Sequence, residues 1–270
     1  IKSLGISDTY NLSGVLEFSE NLSSAGTQPI IGSQILFKYK NYVGRFPLIA
    51  KNLDGYKNLI DLSSMSYLNN SETTQPYCEL DDLLNKSNGL IILSGSIRSL
   101  IGVLFNKGLI NEVDEIYEKL SKNFKNNFYV EIQRHDDVNE KQFETFNLNL
   151  SKKFNLPILA TNEVYYIDQS MYEAHDALMC IGQKTYVNEQ NRTKLSKHHF
   201  LKSSNEMIDL FKDLPEALEN NYNLPYRCSY KPVSSKPILP NISSDAENAN
   251  ELLKKESLKG LKERFLKNFN

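Results

Sequence analysis

LPILATNEVYYIDQSMYEAHDALMCI, residues Leu156 to Ile181, is the stretch from which the fold class can be read. A short apolar strand, Leu156 to Thr161, runs into the polar loop Thr161-Asn162-Glu163 and then into a helix expected over Ser170 to Ile181. A strand ending in such groups carries hydrogen-bonding and ionisable side chains to one rim of a sheet or barrel. In α/β folds, sites are built at that rim, outside the C-terminal ends of the strands.

Working outward, the same strand-then-helix rhythm repeats. Upstream, FYVEIQ (Phe128 to Gln133) reads as a strand before a helix over Glu140 to Phe154, and GLIILS (Gly89 to Ser94) as a buried strand before helices over Ile97 to Asn106 and Val113 to Phe124. Nearer the start, strands are expected at Pro29 to Ile31 and Phe46 to Ala50, and helices over Leu12 to Ala25 and Asn52 to Leu68. Repeated β-then-α units predict a parallel sheet or a (β/α) barrel whose apolar strands are covered on both faces. Beyond Tyr186 the pattern loosens into short helices at Ser204 to Phe211, with Ser203 and Glu206 spaced as an N-cap pair, and at Pro215 to Asn221. Lys231 to Asp245 reads as a Pro- and Ser-containing linker, and Ala246 to Phe269 as an amphipathic helix opening a further domain. Leu4 to Asp8 reads as a strand already under way with no initiator Met before it, so upstream sequence is expected.

Composition narrows the function classes. The chain has 270 residues, enough for one large α/β domain or two smaller ones, and its 40% hydrophobic and 24% charged content is that of a globular protein. A net charge of −2 provides no global basic field for a polyanion, so any nucleic-acid contact must be local or made by other parts of a larger protein. Cys78, Cys180 and Cys228 lie far apart, which argues against a zinc ribbon or a disulfide framework and predicts a reducing, cytoplasmic setting. No apolar run approaches the roughly 18 residues of a membrane span.

Taken in order, GISDTYNLSGVLEFSE, QPIIGSQ, NLDGYKNLIDLSS, GLIILSGS, FYVEIQRHD, LPILATNEVYYIDQSMYEAHDALMCIG, HHFLKSSNEMIDLFKDLPEALEN and KPILP resemble the N-terminal PHP (polymerase and histidinol phosphatase) domain of bacterial DNA polymerase III α subunits. Each segment alone is a weak signal, but their order over nearly the whole chain is specific. The resemblance implies an α/β fold, a distorted (β/α) barrel of the PHP type, followed by the start of a polymerase palm region. It divides the chain into a PHP domain over residues 1–235, lacking a first strand with an HxH motif, and residues 236–270 as linker and first helix toward the palm. It further implies DNA replication by a DNA-directed DNA polymerase. Mg²⁺ would be held in a palm outside this segment, and no cofactor within it. Implied partners are a proofreading exonuclease subunit docked on this domain, a sliding clamp and a clamp-loader subunit bound elsewhere, and template-primer DNA with dNTPs; no membrane is involved.

Active PHP domains carry a metal cluster at their strand ends, which needs carboxylates, neutral imidazoles and a thiolate to offset its charge and activate water. The corresponding positions here are Asp8, Thr9, Gln34, Arg45, Ser96, His135, Glu163 and Tyr165. Asp8 could ligate, although a turn or helix-start acceptor role is the plainer reading, and Thr9 is a poor substitute for His. Gln34 is a neutral amide where a carboxylate is expected. Arg45, read as standing just before the strand Phe46 to Ala50, would repel a cation, and Ser96 removes a thiolate. His135 reads as a structural, hydrogen-bonded residue; Glu163 could replace an aspartate, whereas the Tyr165 phenol is a poor ligand at neutral pH. Asp8, His135 and Glu163 are thus the most that a remnant site could gather. The leading expectation is a metal-free domain without catalytic residues, with Arg45 near Asp8 or Glu163 supplying the missing positive charge.

Other candidates read more plainly. Adjacent His198 and His199 point in different directions and suit surface or capping roles better than a metal set with His175. His175 suits helix packing, and Cys180 a small buried hydrophobe. The basic run from Lys254 to Lys267 reads first as a solvated helix face with i,i+4 pairs, and second as a phosphate contact. Two further functional readings stand beside the structural one: a metal-dependent phosphoesterase or 3′-5′ exonuclease with a reduced site around Asp8, His135 and Glu163, and a separate α/β binding module.

Overall fold

Strand alternation builds the molecule, because successive side chains of a pleated strand face opposite ways and both faces here are buried. The structure, a computed structural model, describes residues 2–68, 75–237 and 249–268, divided into two compact units, Ile1–Pro232 and Val233–Asn270. In the first unit, strands β1 (Ser3–Thr9), β2 (Gln28–Tyr39), β3 (Tyr42–Ala50), β4 (Cys78–Glu79), β5 (Leu90–Leu93), β6 (Phe128–Ile132) and β7 (Ile158–Ala160) form one curled sheet. Its order is β1-β2-β3-β5-β6-β7, with β4 paired to β2. Helices α1 (Val15–Ser24), α2 (Leu53–Leu68), α3 (Leu80–Asn85), α4 (Leu100–Asn106), α5 (Ile110–Phe124) and α6 (Glu140–Phe154) connect and cover the strands. Three more follow: α7 (Tyr172–Gln183), α8 (Ser204–Leu210) and α9 (Pro215–Asn223). This is a distorted (β/α) barrel.

The all-parallel sheet expected from the sequence rhythm is corrected by one strand. β3 runs antiparallel to both neighbours, β2 and β5, while the remaining pairs are parallel. Tyr39 pairs with Tyr42, leaving only Lys40 and Asn41 to turn the chain, with Lys40 in the left-handed region at φ 53°. Two residues make a hairpin; a parallel pair needs a crossover of about a dozen or more. β2 also extends well beyond the expected Pro29 to Ile31, because Gly32, Ser33 and Gln34 interrupt its apolar run without interrupting its alternation.

Two cores result. Phe46, Leu48, Ile92, Val130 and Ile158 pack outward against the helices, meeting Leu59 and Leu62 of α2, Ile116 and Leu120 of α5, and Phe143 and Leu150 of α6. Tyr67, near the end of α2, is exposed. On the inner face Ile30, Ile91, Leu93, Tyr129 and Leu159 form a smaller cluster, closed from below by Leu224 and Cys228. Burying each such aliphatic side chain contributes roughly 1.5–3 kcal/mol. The Ser203–Glu206 capping box opens α8 as the spacing predicts, Ser203 Oγ accepting from the Glu206 N–H at 3.3 Å and Glu206 Oε2 from the Ser203 N–H at 2.8 Å.

In the second unit, α10 (Ala249–Asn268) occupies most of the expected terminal helix. Residues 238–248, which include Pro240, most of the second half of the expected linker and the expected start of that helix, lie outside the described residues.

Candidate functional site

The reversed direction of β3 makes the mouth of the barrel. Because β3 runs against its neighbours, Arg45 near its beginning arrives at the rim reached by the end of β1, with Thr9 registered on Gln34 of β2 and Gln34 on Pro47. Arg45 therefore lies within β3, paired with Leu36, and not ahead of it. Two glycines let α4 approach this rim. A Cβ on Gly44 would stand 2.4 Å from Leu100 Cα, and one on Gly95, at φ 83°, 2.3 Å from Ser99 Cβ. The turn through Gly95 aims Ser96 and Arg98 at the mouth.

Of the eight positions singled out by sequence, the inner face gathers most but not all. Arg45 Nη1 lies 3.4 Å from Thr9 Oγ1, to which it donates, and 3.8 Å from Glu163 Oε1. Gln34 Nε2 donates to the Ser7 carbonyl at 3.4 Å, and Ser96 Oγ accepts from the Arg98 N–H at 3.2 Å. Tyr165 Oη donates to Glu163 Oε1 at 2.9 Å. Burial, with the Glu163 charge added, pushes the Tyr165 phenol up to about 12, so it keeps its proton and serves as a donor. Asp8 is the exception. One residue along β1 from Thr9, it faces the other way, with Oδ2 lying 3.3 Å from where a Cβ on Gly14 would stand. A remnant set of Asp8, His135 and Glu163 does not converge, because strand alternation separates Asp8 from the other two.

Three residues that the sequence reading did not assign to this site complete the cluster: Arg98, Asp137 and His199. Arg98 Nη1 lies 3.7 Å from Glu163 Oε2, while its Nη2 is paired with Asp137 Oδ2. Two guanidiniums thus flank Glu163. The His135 ring stacks on His199, centroids 4.1 Å apart and planes 3° apart. His199, expected at the surface or as a cap, is 0% exposed. Its Nδ1 lies 3.1 Å from the Glu163 carbonyl, to which it donates. Its Nε2 then faces Arg98 Nη2 at 3.4 Å and Asp137 Oδ2 at 3.4 Å. His135 Nδ1 lies 3.4 Å from Glu140 Oε1, and its Nε2 accepts from the Glu163 N–H at 3.2 Å. Burial alone would raise the Asp137 carboxyl, but the His199 hydrogen bond and the Arg98 charge outweigh it and hold that carboxyl below its ordinary value.

The other expected roles divide. His175 packs on Tyr165 and Tyr166, with ring centroids 5.5 and 5.3 Å away, and Cys180 is buried, both as the sequence suggests. The signal for Arg98 and Asp137 was proximity alone, each two residues past a position already singled out. His199 had no usable signal, because its partners come from distant loops.

This donor set does not suit the metal cluster of active PHP domains. At the positions singled out by the resemblance, Arg45 is a cation, Thr9, Gln34, Ser96 and Tyr165 are neutral, and Glu163 already faces two guanidiniums. Among the described residues, His135, Asp137 and His199 do bring possible ligand atoms within 4.8 Å of one another. Imidazole lone pairs lie in the ring plane, however, so two cofacial rings place them in separate, near-parallel planes, a poor arrangement for convergence on one ion. Arg98 also stands against both Asp137 and His199. The arrangement sets Arg45 and Arg98 against Glu163, and Arg98 also against Asp137, as charge-paired side chains from separate strand ends and loops.

Residues 1–135 match the family described as PHP domain. The DNA polymerase III subunit alpha of Caulobacter vibrioides is 35% identical over 97% of this chain and 24% of that protein, and that of Rickettsia bellii 35% identical over 95% and 22%. The chain thus spans about a quarter of the length of these curated relatives. A solved structure from Bifidobacterium adolescentis, assigned as a metal-dependent phosphoesterase, aligns over 60% of this chain and 77% of that one with a TM-score of 0.39 and 8% identity, too slight a likeness to bear on activity. Among the described residues, no helix is long and apolar enough to cross a membrane.

Proposed function

The chain belongs to the PHP domain family, and from that premise we propose that it is the N-terminal PHP part of a bacterial replicative DNA polymerase α subunit, acting there as a metal-free structural domain. The likeness to named α subunits along nearly the whole chain supports the first half. The pair of guanidiniums at Glu163 carries the second: Arg45 and Arg98 supply, as fixed side chains, the positive charge that a metal cluster would bring. Polymerisation, with Mg²⁺ on palm carboxylates, template-primer DNA, dNTPs, and the sliding clamp and clamp-loader subunit, would belong to the parts of such a subunit that this chain does not span. The barrel's own role would be to support the palm and dock the proofreading exonuclease subunit. Metal analysis of the full-length protein for zinc, manganese and iron is expected to find less than one ion per chain; two or three would overturn the metal-free reading.

The His135, Asp137 and His199 group keeps a second reading open, a metal-dependent phosphoesterase or 3′-5′ exonuclease. Full-length protein incubated with Mn²⁺ or Zn²⁺ and single-stranded DNA is expected to release no nucleotides. Hydrolysis abolished by Glu163→Ala would favour the second reading.

A further inference from the structure

Between the apolar floor of the barrel and its charged mouth sits one acidic side chain that neither layer accounts for. Glu131 belongs to β6, where all five residues are buried, and is itself 4% exposed. Its Oε1 accepts hydrogen bonds from Thr161 Oγ1 and from Gln133 Nε2, the latter at 3.1 Å. Its Oε2 is shut away from solvent and has no hydrogen-bond partner. An ionised carboxylate would leave charge on an oxygen with no donor, the least favourable state for a buried acid.

The surroundings add little relief. Glu163, on the loop after β7, opposes a second negative charge, and Arg45, from β3, favours it, both weakly compared with burial. By strand register β1 contributes Ser7 to the same face, β5 contributes Leu93, and β6 itself contributes Tyr129, whose hydroxyl accepts from Arg227. Burial therefore dominates, and with the Glu163 charge outweighs the Thr161 and Gln133 hydrogen bonds to push the Glu131 carboxyl up to about 7.

We propose that Glu131 is a proton-operated element of the barrel: neutral in the closed interior, and on ionising it loosens the pairing of β6 with β7. The location makes the effect local, since Glu131, Gln133 and Thr161 tie those two strands together and β7 is a three-residue strand at the end of the sheet. The sign follows from linkage. A carboxyl whose native value is raised contributes stability that is complete below its unfolded value of about 4.3 and is lost as pH rises through the native one. This inference concerns protonation inside the barrel and stands apart from the polymerase reading.

Hydrogen exchange read by mass spectrometry on the full-length protein, corrected for intrinsic exchange and run in EDTA throughout, tests it. Protection of peptides spanning β6 and β7 is expected to fall by tens of fold between pH 5 and pH 7.5 and then level off, and Glu131→Gln is expected to flatten that profile. Thr161→Val removes a donor that favours the ionised form, so it is expected to move the midpoint to higher pH, a readout available even if the glutamine variant fails to fold. A flat profile in the unmodified protein, an unchanged one in Glu131→Gln, or an unmoved midpoint in Thr161→Val would each overturn the proposal.

Discussion

At the bottom of the barrel, Ile91, Leu159, Leu224 and Cys228 meet as apolar surface, whereas the rim of the same strands gathers Arg45, Arg98, Asp137, Glu163 and two stacked histidines. The two ends are stabilised in different currencies. Apolar burial is non-directional, so the floor gains from each side chain separately and tolerates exchange of one shape for another. Charges at the rim lose hydration on being enclosed, and only their mutual placement offsets that loss. The rim is therefore expected to behave as a unit in which removing one member strands its partners.

The largest effect is expected at the floor. Leu159→Ala should lower stability by about 2–5 kcal/mol in chemical denaturation, the usual range for a buried leucine whose site cannot collapse. A loss below about 1 kcal/mol would mean that the floor is loosely packed, and would remove the contrast. At the rim, Arg98→Ala should cost about 1–3 kcal/mol, because it leaves both Asp137 and Glu163 short of counter-charge. A double-mutant cycle with Glu163→Ala sharpens the point: coupling above about 0.5 kcal/mol marks a unit, and additivity would break it.

Acid should find the rim before the floor. The Asp137 carboxyl is held low in spite of burial, and Asp176 is held low by its hydrogen bonds to Arg192, a pair almost wholly enclosed. Depressed carboxyls contribute stability that is present above their unfolded value of about 3.9 and lost as pH falls through the lower native one. Unfolding followed by circular dichroism between pH 5 and pH 2 is expected to show this loss in full for Leu159→Ala and in smaller measure for Arg98→Ala. Equal acid profiles for the two variants would contradict it.

Legibility in the sequence follows the same division. GLIILS announces a floor strand by its uninterrupted apolar run and FYVEI by a run broken only at Glu131, and the helices between them show by their periodicity, to within a few residues at each end. The reversed strand was hidden because Gly32, Ser33 and Gln34 look like a loop after Ile31, and because a Lys40-Asn41 turn lacks the usual glycine. The family positions at the rim could be read from the resemblance, but not their facing. Asp8 fell on the wrong side because a one-residue offset reverses a strand's side chain. Arg98, Asp137 and His199 come from three separate loops, and no local pattern encodes which loops will meet. Glu131 did carry a signal: a single carboxylate inside an otherwise apolar strand can be stable only if it is buried with partners or left neutral.

The hairpin of β2 and β3 has a consequence in time. Hairpins close in about 1–10 μs, whereas parallel pairs must wait for the intervening helix to be laid down and the longer loop to close. The nascent chain is therefore expected to form this ribbon early, placing Arg45 before either of its acidic neighbours has been docked. Pulse-labelling during refolding should find amides of β2 and β3 protected ahead of those in β6 and β7. Simultaneous protection would instead mean that the whole sheet assembles in one step. On this ordering the positive charge comes first, and the later strands take their seats around it.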